Sequence, residues 1–211
     1  MNQPPVQVSG DETHPHAHAT GRPKLDLVIA FSAIFISAVS LFVAIEHGKT
    51  ERDLVAASSW PFLARLLDSN YGPDKDVAVG VSNGGVGPAK LKSLEVFYDG
   101  LPVASNHDLL RRCCGLRNEA FKSQLPNGII SSIADETVLR PGEQNPVLRL
   151  RKARGASEVS DRLAASLLRI TFRACYCSIL DECWRSDLSS TRTQPVRACP
   201  APEHPFKPLG P

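Results

Sequence analysis

The chain has 211 residues, with 24 Lys and Arg against 22 Asp and Glu and a formal net charge of +2. Once tails are set aside, that length suits one domain. A near-neutral balance argues against nucleic acid as a partner, because phosphate binding needs Lys and Arg clustered on one face.

Residues 1–24 are rich in Pro, Gln, His and Gly and poor in large apolar side chains, so a disordered tail is expected. Its run His14-Pro-His-Ala-His18 offers imidazoles to a divalent metal. It lacks a carboxylate or thiol partner, and incidental composition explains it better.

Residues 27–45 then run LVIAFSAIFISAVSLFVAI with no charge, proline, Asn or Gln. At 1.5 Å per residue this run is roughly 28 Å long, close to the ~30 Å hydrocarbon core of a bilayer. Its serines are tolerable because each hydroxyl can bond a carbonyl one turn back. Arg22, Lys24 and Asp26 bound it on one side, and Glu46, Lys49, Glu51, Arg52 and Asp53 on the other. A transmembrane helix with a short extension is therefore expected over residues 25–57. The apolar run is too long, and begins too late, for the core of a cleaved signal peptide. Ala30, Ala33 and Ser37 form a small-residue face on which a second helix can pack.

Flanking Lys and Arg are nearly tied, so they do not orient the span. A short polar leading tail and six cysteines behind the anchor favour a cytoplasmic amino terminus and a periplasmic domain in a bacterial inner membrane.

Beyond the anchor the pattern changes to short strands punctuated by turns. Strands are expected at residues 60–67, 77–82, 91–98, 101–104, 129–139, 147–150 and 167–180, with Cys183-Trp184 beginning a hairpin partner. Trp60 reads equally as an interfacial anchor or a core residue. Asp99-Gly100 closes a hairpin, and Pro141-Gly142 marks another turn. Between them Leu109, Leu110, Cys113, Leu116 and Phe121 fall at helical spacing, so residues 107–125 are expected to form a helix, with Asn106 or Asp108 as its N-cap. Residues 156–163 suit a helical turn. The domain is expected over residues 58–190, and the Pro-, Arg- and Ser-rich residues 191–211 are expected to be extended or disordered. The fold class is mainly β: one transmembrane helix, then an immunoglobulin-like β-sandwich with a helical insertion.

The turn Asn83-Gly-Gly-Val-Gly-Pro-Ala89 is the sharpest local motif. Gly84, Gly85 and Gly87 permit positive φ or close backbone approach, and Pro88 fixes the exit into the next strand. Its N–H groups have the makings of an anion nest, but no Lys-Ser or Lys-Thr and no helix follow it, so a structural turn is preferred. Together with the anchor, Ser59-Trp-Pro61, Val96-Phe-Tyr-Asp-Gly100, Tyr176-Cys-Ser178 and Glu182-Cys-Trp184, this Asn-x-Gly-x-Gly-Pro-Ala turn resembles a group of uncharacterised bacterial single-pass inner-membrane proteins. The resemblance covers about residues 27–184 and implies an extracytoplasmic β-sandwich. It implies no catalytic residues, and residues 109–124 and the tail after Ser190 depart from the pattern.

Cys113, Cys114, Cys175, Cys177, Cys183 and Cys199 are the chemically distinctive set. On a strand Cys175 and Cys177 share a face, and Cys183 lies across a tight turn from Cys177. A second link would join the 113–114 pair to Cys175 or Cys199. A zinc site from Cys113 or Cys114 with Cys175, Cys177 and Cys183 fits poorly, because zinc knuckles favour Cys-x₂₋₄-Cys. Structural cysteines rank first, free thiols second and metal third. His107-Asp108 near Cys113 has the residue types of a thiol site but no third orienting group. Accordingly no catalytic, metal or cofactor residues are expected and no enzyme. The expected role is a membrane-anchored accessory or adaptor subunit, partnered by the bilayer and by an integral membrane protein or a second copy. A ligand-binding or sensor module is the alternative, and a thiol- or metal-dependent enzyme ranks third.

Overall fold

The computed structural model describes residues 23–116, 129–132, 136–151 and 157–210. The histidine run and the first 22 residues lie outside it, as do residues 117–128 of the expected insertion.

Helix α1 runs Pro23–Ser58, and its apolar stretch is uniformly exposed. A helix apolar on every side is suited to hydrocarbon rather than to one protein face. Ser32 Oγ donates to Val28 O at 2.7 Å and Ser37 Oγ to Ala33 O at 2.8 Å, so these hydroxyls are satisfied within the helix. The helix is long and apolar enough to cross a membrane once. Beyond the apolar stretch it continues for several polar turns, where Glu46–Lys49 and His47–Glu51 pair at helical spacing.

Residues 52–210 contain the folded domain. Two antiparallel sheets share one apolar core. The first sheet has the order β1-β2-β7-β5, with β1 Leu63–Tyr71, β2 Asp76–Asn83, β7 Gln144–Leu150 and β5 Ile129–Ile130. The second has the order β10-β9-β8-β3-β4, with β10 Gln194–Val196, β9 Cys183–Ser186, β8 Ile170–Cys177, β3 Ala89–Tyr98 and β4 Leu101–Val103; β6 Thr137–Leu139 also pairs with β3. Strand periodicity explains the core. Val77, Val79 and Val81 of β2 meet Leu94 and Val96 of β3 and Ile170, Phe172 and Tyr176 of β8 in one cluster.

Two α-helices among the described residues complete the domain, so it is mixed α/β. Helix α2 is Asn106–Cys114 and α3 is Ser157–Ser166; they pack on each other, and α3 reaches β2. The N-cap of α2 is Ser105 rather than Asn106 or Asp108. Its side chain accepts from Asp108 N, while Asp108 Oδ2 accepts from Ala104 N. Asn106 is instead buried, donating to Val147 O at 2.7 Å and Ser131 Oγ at 2.8 Å. Gly115 ends α2 in the left-handed region at φ 69°. Of the expected strand over residues 129–139, residues 133–135 lie outside the described residues, and the rest supplies two short strands in different sheets, β5 and β6. The chain beyond Ser190 is extended and stitched to the second sheet. It supplies β10, buries Phe206, and bonds His204 N to Glu95 Oε1 and Lys207 N to Ala104 O.

Candidate functional site

The outward face of the second sheet carries the polar chemistry. Alternation points Ile170, Phe172, Ala174 and Tyr176 of β8 into the core, leaving Thr171, Arg173, Cys175 and Cys177 on the opposite face. Register then sets Phe97, Glu95, Ser93 and Lys90 of β3 beside them in turn, with a bulge at Lys92. Across the other edge Cys183 pairs with Cys177 and Arg185 with Cys175. The tail closes one end of this face and leaves the other open.

The open end is a groove of about 780 Å³ lined in part by Arg173, Arg185 and Arg192. Arg173 is already engaged: its Nη1 lies 3.5 Å from Glu95 Oε2 and 3.7 Å from Glu203 Oε2, and it stacks over Phe97. Arg185 and Arg192 have no carboxylate within ion-pair reach among the described residues. The nearby acid Asp187 is spent on its own loop. It accepts from Ser190 N and Ser189 N at 3.0 Å each and from Ser190 Oγ at 3.1 Å. The backbone N–H of Ser190, then that of Ser189, hold its carboxyl below the usual carboxylate value. The rim therefore offers two guanidinium groups with no acidic partner among the described residues, beside the hydroxyls of Thr171 and Ser189.

At the closed end four cysteines converge. Cys177 is bonded to Cys183 across the β8–β9 turn, with Cα atoms 4.0 Å apart, and Cys175 is bonded to Cys199 of the tail, 5.7 Å apart. Cys177 Sγ lies 3.9 Å from Cys199 Sγ, and the sulfurs of Cys177, Cys183 and Cys199 all lie within 4.8 Å of one another. The 113–114 pair joins neither Cys175 nor Cys199, contrary to expectation. Cys113 and Cys114 are bonded to each other at the end of α2, where Arg162 Nη1 donates to Cys114 O. His107 and Asp108 begin α2. Burial raises the Asp108 pKa, but bonds from Arg111 and Arg112 outweigh it and hold it below the ordinary value.

The residues 83–88 form a turn that is internally consumed. Buried Asn83 donates Nδ2 to Gly87 O and Leu139 O, and its Oδ1 accepts from Gly85 N and Phe62 N. Gly84 N donates to Phe62 O, while Val86 N and Gly87 N both donate to Trp60 O. No N–H from residues 84–87 is left for an anion. Gly85 and Gly87 serve close approach rather than positive φ, whereas Gly84 has room for a side chain. A Cβ on Gly85 would strike the backbone of residues 60–62, and one on Gly87 that of Ser59. Pro88 leads directly into β3. Trp60 is 43% exposed and stacks obliquely on Phe62, so it is not a core residue.

Ala30, Ala33 and Ser37 lie along one side of α1 by their spacing of three and four. The arginine groove has no counterpart among the residues singled out from the sequence. Its only signal was the outward position of Arg173 and Arg185 on alternating strands. No family model, curated protein or solved structure matches this chain.

Proposed function

We propose that the chain is a membrane-anchored accessory subunit, an adaptor whose groove takes an acidic segment of an integral membrane partner. The observation that carries this reading is the pair Arg185 and Arg192, without a carboxylate partner among the described residues, on the rim of an open cavity. Unpaired cations at a surface are complementary to a partner's Asp and Glu, and such complementarity selects partners and speeds encounter. Tethering adds to this, because a domain on the same chain as a membrane anchor meets a partner in that membrane at a raised effective concentration. The face Ala30, Ala33 and Ser37 supports a second contact, within the bilayer, with the same partner or a second copy.

The sheet orders support an immunoglobulin-like assignment. The order β1-β2-β7-β5 follows A-B-E-D, and β9-β8-β3-β4 follows G-F-C-C′. Three disulfides support a periplasmic domain in a bacterial inner membrane with the amino terminus in the cytoplasm. This orientation belongs to the same proposal.

The test is photocrosslinking of the full chain in its native membrane, with the reactive group at Ser189. The expected product is a crosslink to the acidic segment of one integral membrane protein, lost in Arg185→Glu/Arg192→Glu. A groove that crosslinks to nothing, or whose crosslink survives charge reversal, sinks the adaptor. A rim that instead binds a small carboxylate or phosphate, with the same dependence on both arginines, replaces it with a ligand-binding module.

A further inference from the structure

We infer that the cysteine cluster at the closed end of the second sheet has a second chemical state, in which Cys175, Cys177, Cys183 and Cys199 together bind one zinc ion once their two disulfides are reduced. The geometry is nearly prepared for it. Tetrahedral zinc with Zn–S of about 2.3 Å places its sulfurs about 3.8 Å apart. Cys177 Sγ and Cys199 Sγ already stand 3.9 Å apart, and Cys183 Sγ lies within 4.8 Å of both. Cys175 is the bonded partner of Cys199, so its sulfur is at the same locus and needs only to part from it. Three of the four Cα positions are set by strands rather than by the disulfides, and the fourth lies on a tail anchored on both sides of it. Cys175 and Cys177 are on β8, Cys183 opens β9, and Cys199 follows β10 on a tail held downstream by His204 N and Phe206.

Spacing along the chain gave the opposite impression, because Cys-x-Cys is not a zinc knuckle. The cross-strand pairing of Cys177 with Cys183 and the returning tail supply the closeness that sequence separation conceals. A tetrathiolate zinc centre carries a net charge of −2; the shallow cleft beside the cluster is lined by Lys92 and Arg197, which offset it, and by Asp181, whose charge is paired with Lys90. The cleft also gives a reductant and the metal an approach to Cys177, Cys183 and Cys199.

The chemistry balances with a dithiol reductant. Two dithiol molecules each pass two electrons and two protons to one protein disulfide and become cyclic disulfides, which leaves four protein thiols. Zinc then displaces four protons as it takes four thiolates. The vicinal Cys113–Cys114 pair, at the end of α2, contributes nothing to the centre.

The full chain in detergent is reduced with a phosphine, freed of metal and titrated with Co²⁺, then Zn²⁺. The expected result is one cobalt per chain with tetrahedral d–d absorption and a thiolate charge-transfer band, both removed by zinc. Cys177→Ser and Cys199→Ser should each weaken binding by more than the roughly 10–100-fold cost of disturbing an outer-shell partner. Cys113→Ser/Cys114→Ser should leave the titration unchanged. A folded reduced chain without the tetrahedral spectrum overturns the inference, and so does loss of the spectrum in Cys113→Ser/Cys114→Ser alone. If reduction unfolds the domain, zinc must restore its sheet circular dichroism, and a chain that stays unfolded in zinc overturns the inference equally. The groove and its partner do not enter this measurement, so its outcome is independent of the adaptor reading.

Discussion

The turn at residues 83–88 and the arginine groove are both polar concavities of the same domain, and they differ in where their hydrogen-bonding capacity goes. In the turn, Asn83 makes four side-chain bonds and the N–H groups of residues 84–87 all find acceptors within the chain. In the groove, Arg173 is paired but Arg185 and Arg192 have no acidic partner among the described residues, and the acid beside them is committed to Ser189 and Ser190. A glycine-rich loop attracts attention in a sequence because it has the composition of a ligand cradle. Its satisfied bonds show that it holds the start of the domain against β2 and β3. Surface groups without partners are where binding capacity remains.

The contrast is broken most forcefully at Gly87. Gly87→Ala drives a Cβ into the Ser59 backbone, where neither side is a flexible side-chain end, and should cost about 4 kcal/mol or more. Urea unfolding monitored by tryptophan fluorescence reads it; a loss below 1 kcal/mol at roughly that scale would mean the turn is slack and the distinction unsound.

Next in size is the tail. Cys175→Ser/Cys199→Ser opens a loop of sequence separation 24, for which loop-closure entropy gives about 3.5 kcal/mol. The same unfolding experiment should place this loss above that of Cys177→Ser/Cys183→Ser, whose separation is 6 and whose loop gives about 2.4 kcal/mol. Reversal of the order would show that the tail detaches once the bond is cut, its other contacts being too weak to hold it.

A smaller, local effect separates the two concavities by pH. Asp187 is depressed in the folded chain, so its contribution is present above the ordinary carboxylate pKa and is lost as pH falls through the lower folded value. Protection of the Ser189 and Ser190 amides, measured against their intrinsic exchange rates, should therefore fall as pH drops below the ordinary carboxylate range, whereas protection at Gly85, bonded to the neutral Asn83 amide, should not follow that titration. Matching titrations at both places would remove the distinction.

The smallest effect on stability should come from Arg185→Gln/Arg192→Gln, within about 0.5 kcal/mol, because neither side chain has a charge partner to lose among the described residues. Binding of an acidic peptide, followed by fluorescence anisotropy at low salt, should nevertheless disappear.

What the sequence disclosed follows from which interactions are local. The apolar run of residues 27–45 and the turns at Asp99-Gly100 and Pro141-Gly142 depend on neighbours in the chain, and the anchor, β3 and β7 emerged close to where periodicity places them. Ser105 was legible too, three residues before Asp108, but Asn106 and Asp108 are equally good cap types, and only the buried bonds of Asn106 remove it from contention. Non-local features were hidden. Arg173, Arg185 and Arg192 come from β8, β9 and a loop, and nothing in their spacing announces a common cavity. The bond between Cys113 and Cys114 escaped because adjacent cysteines were expected to reach outward to the sheet. The tail's place in the core rests largely on one ring, Phe206, amid a composition that otherwise suggests exposure.

Leu188 gives the groove a mechanical character. It sits in the left-handed region at φ 57°, is buried, and its carbonyl accepts from Arg65 N of β1 at 3.0 Å, so the loop that rims the groove is fastened at its midpoint to the edge of the opposite sheet. A lip held in this way cannot swing as a flap without tearing that bond and exposing an apolar side chain. Whatever enters must match a mould already set, so affinity loses little to ordering the rim and the rate of capture is governed by encounter rather than by closure.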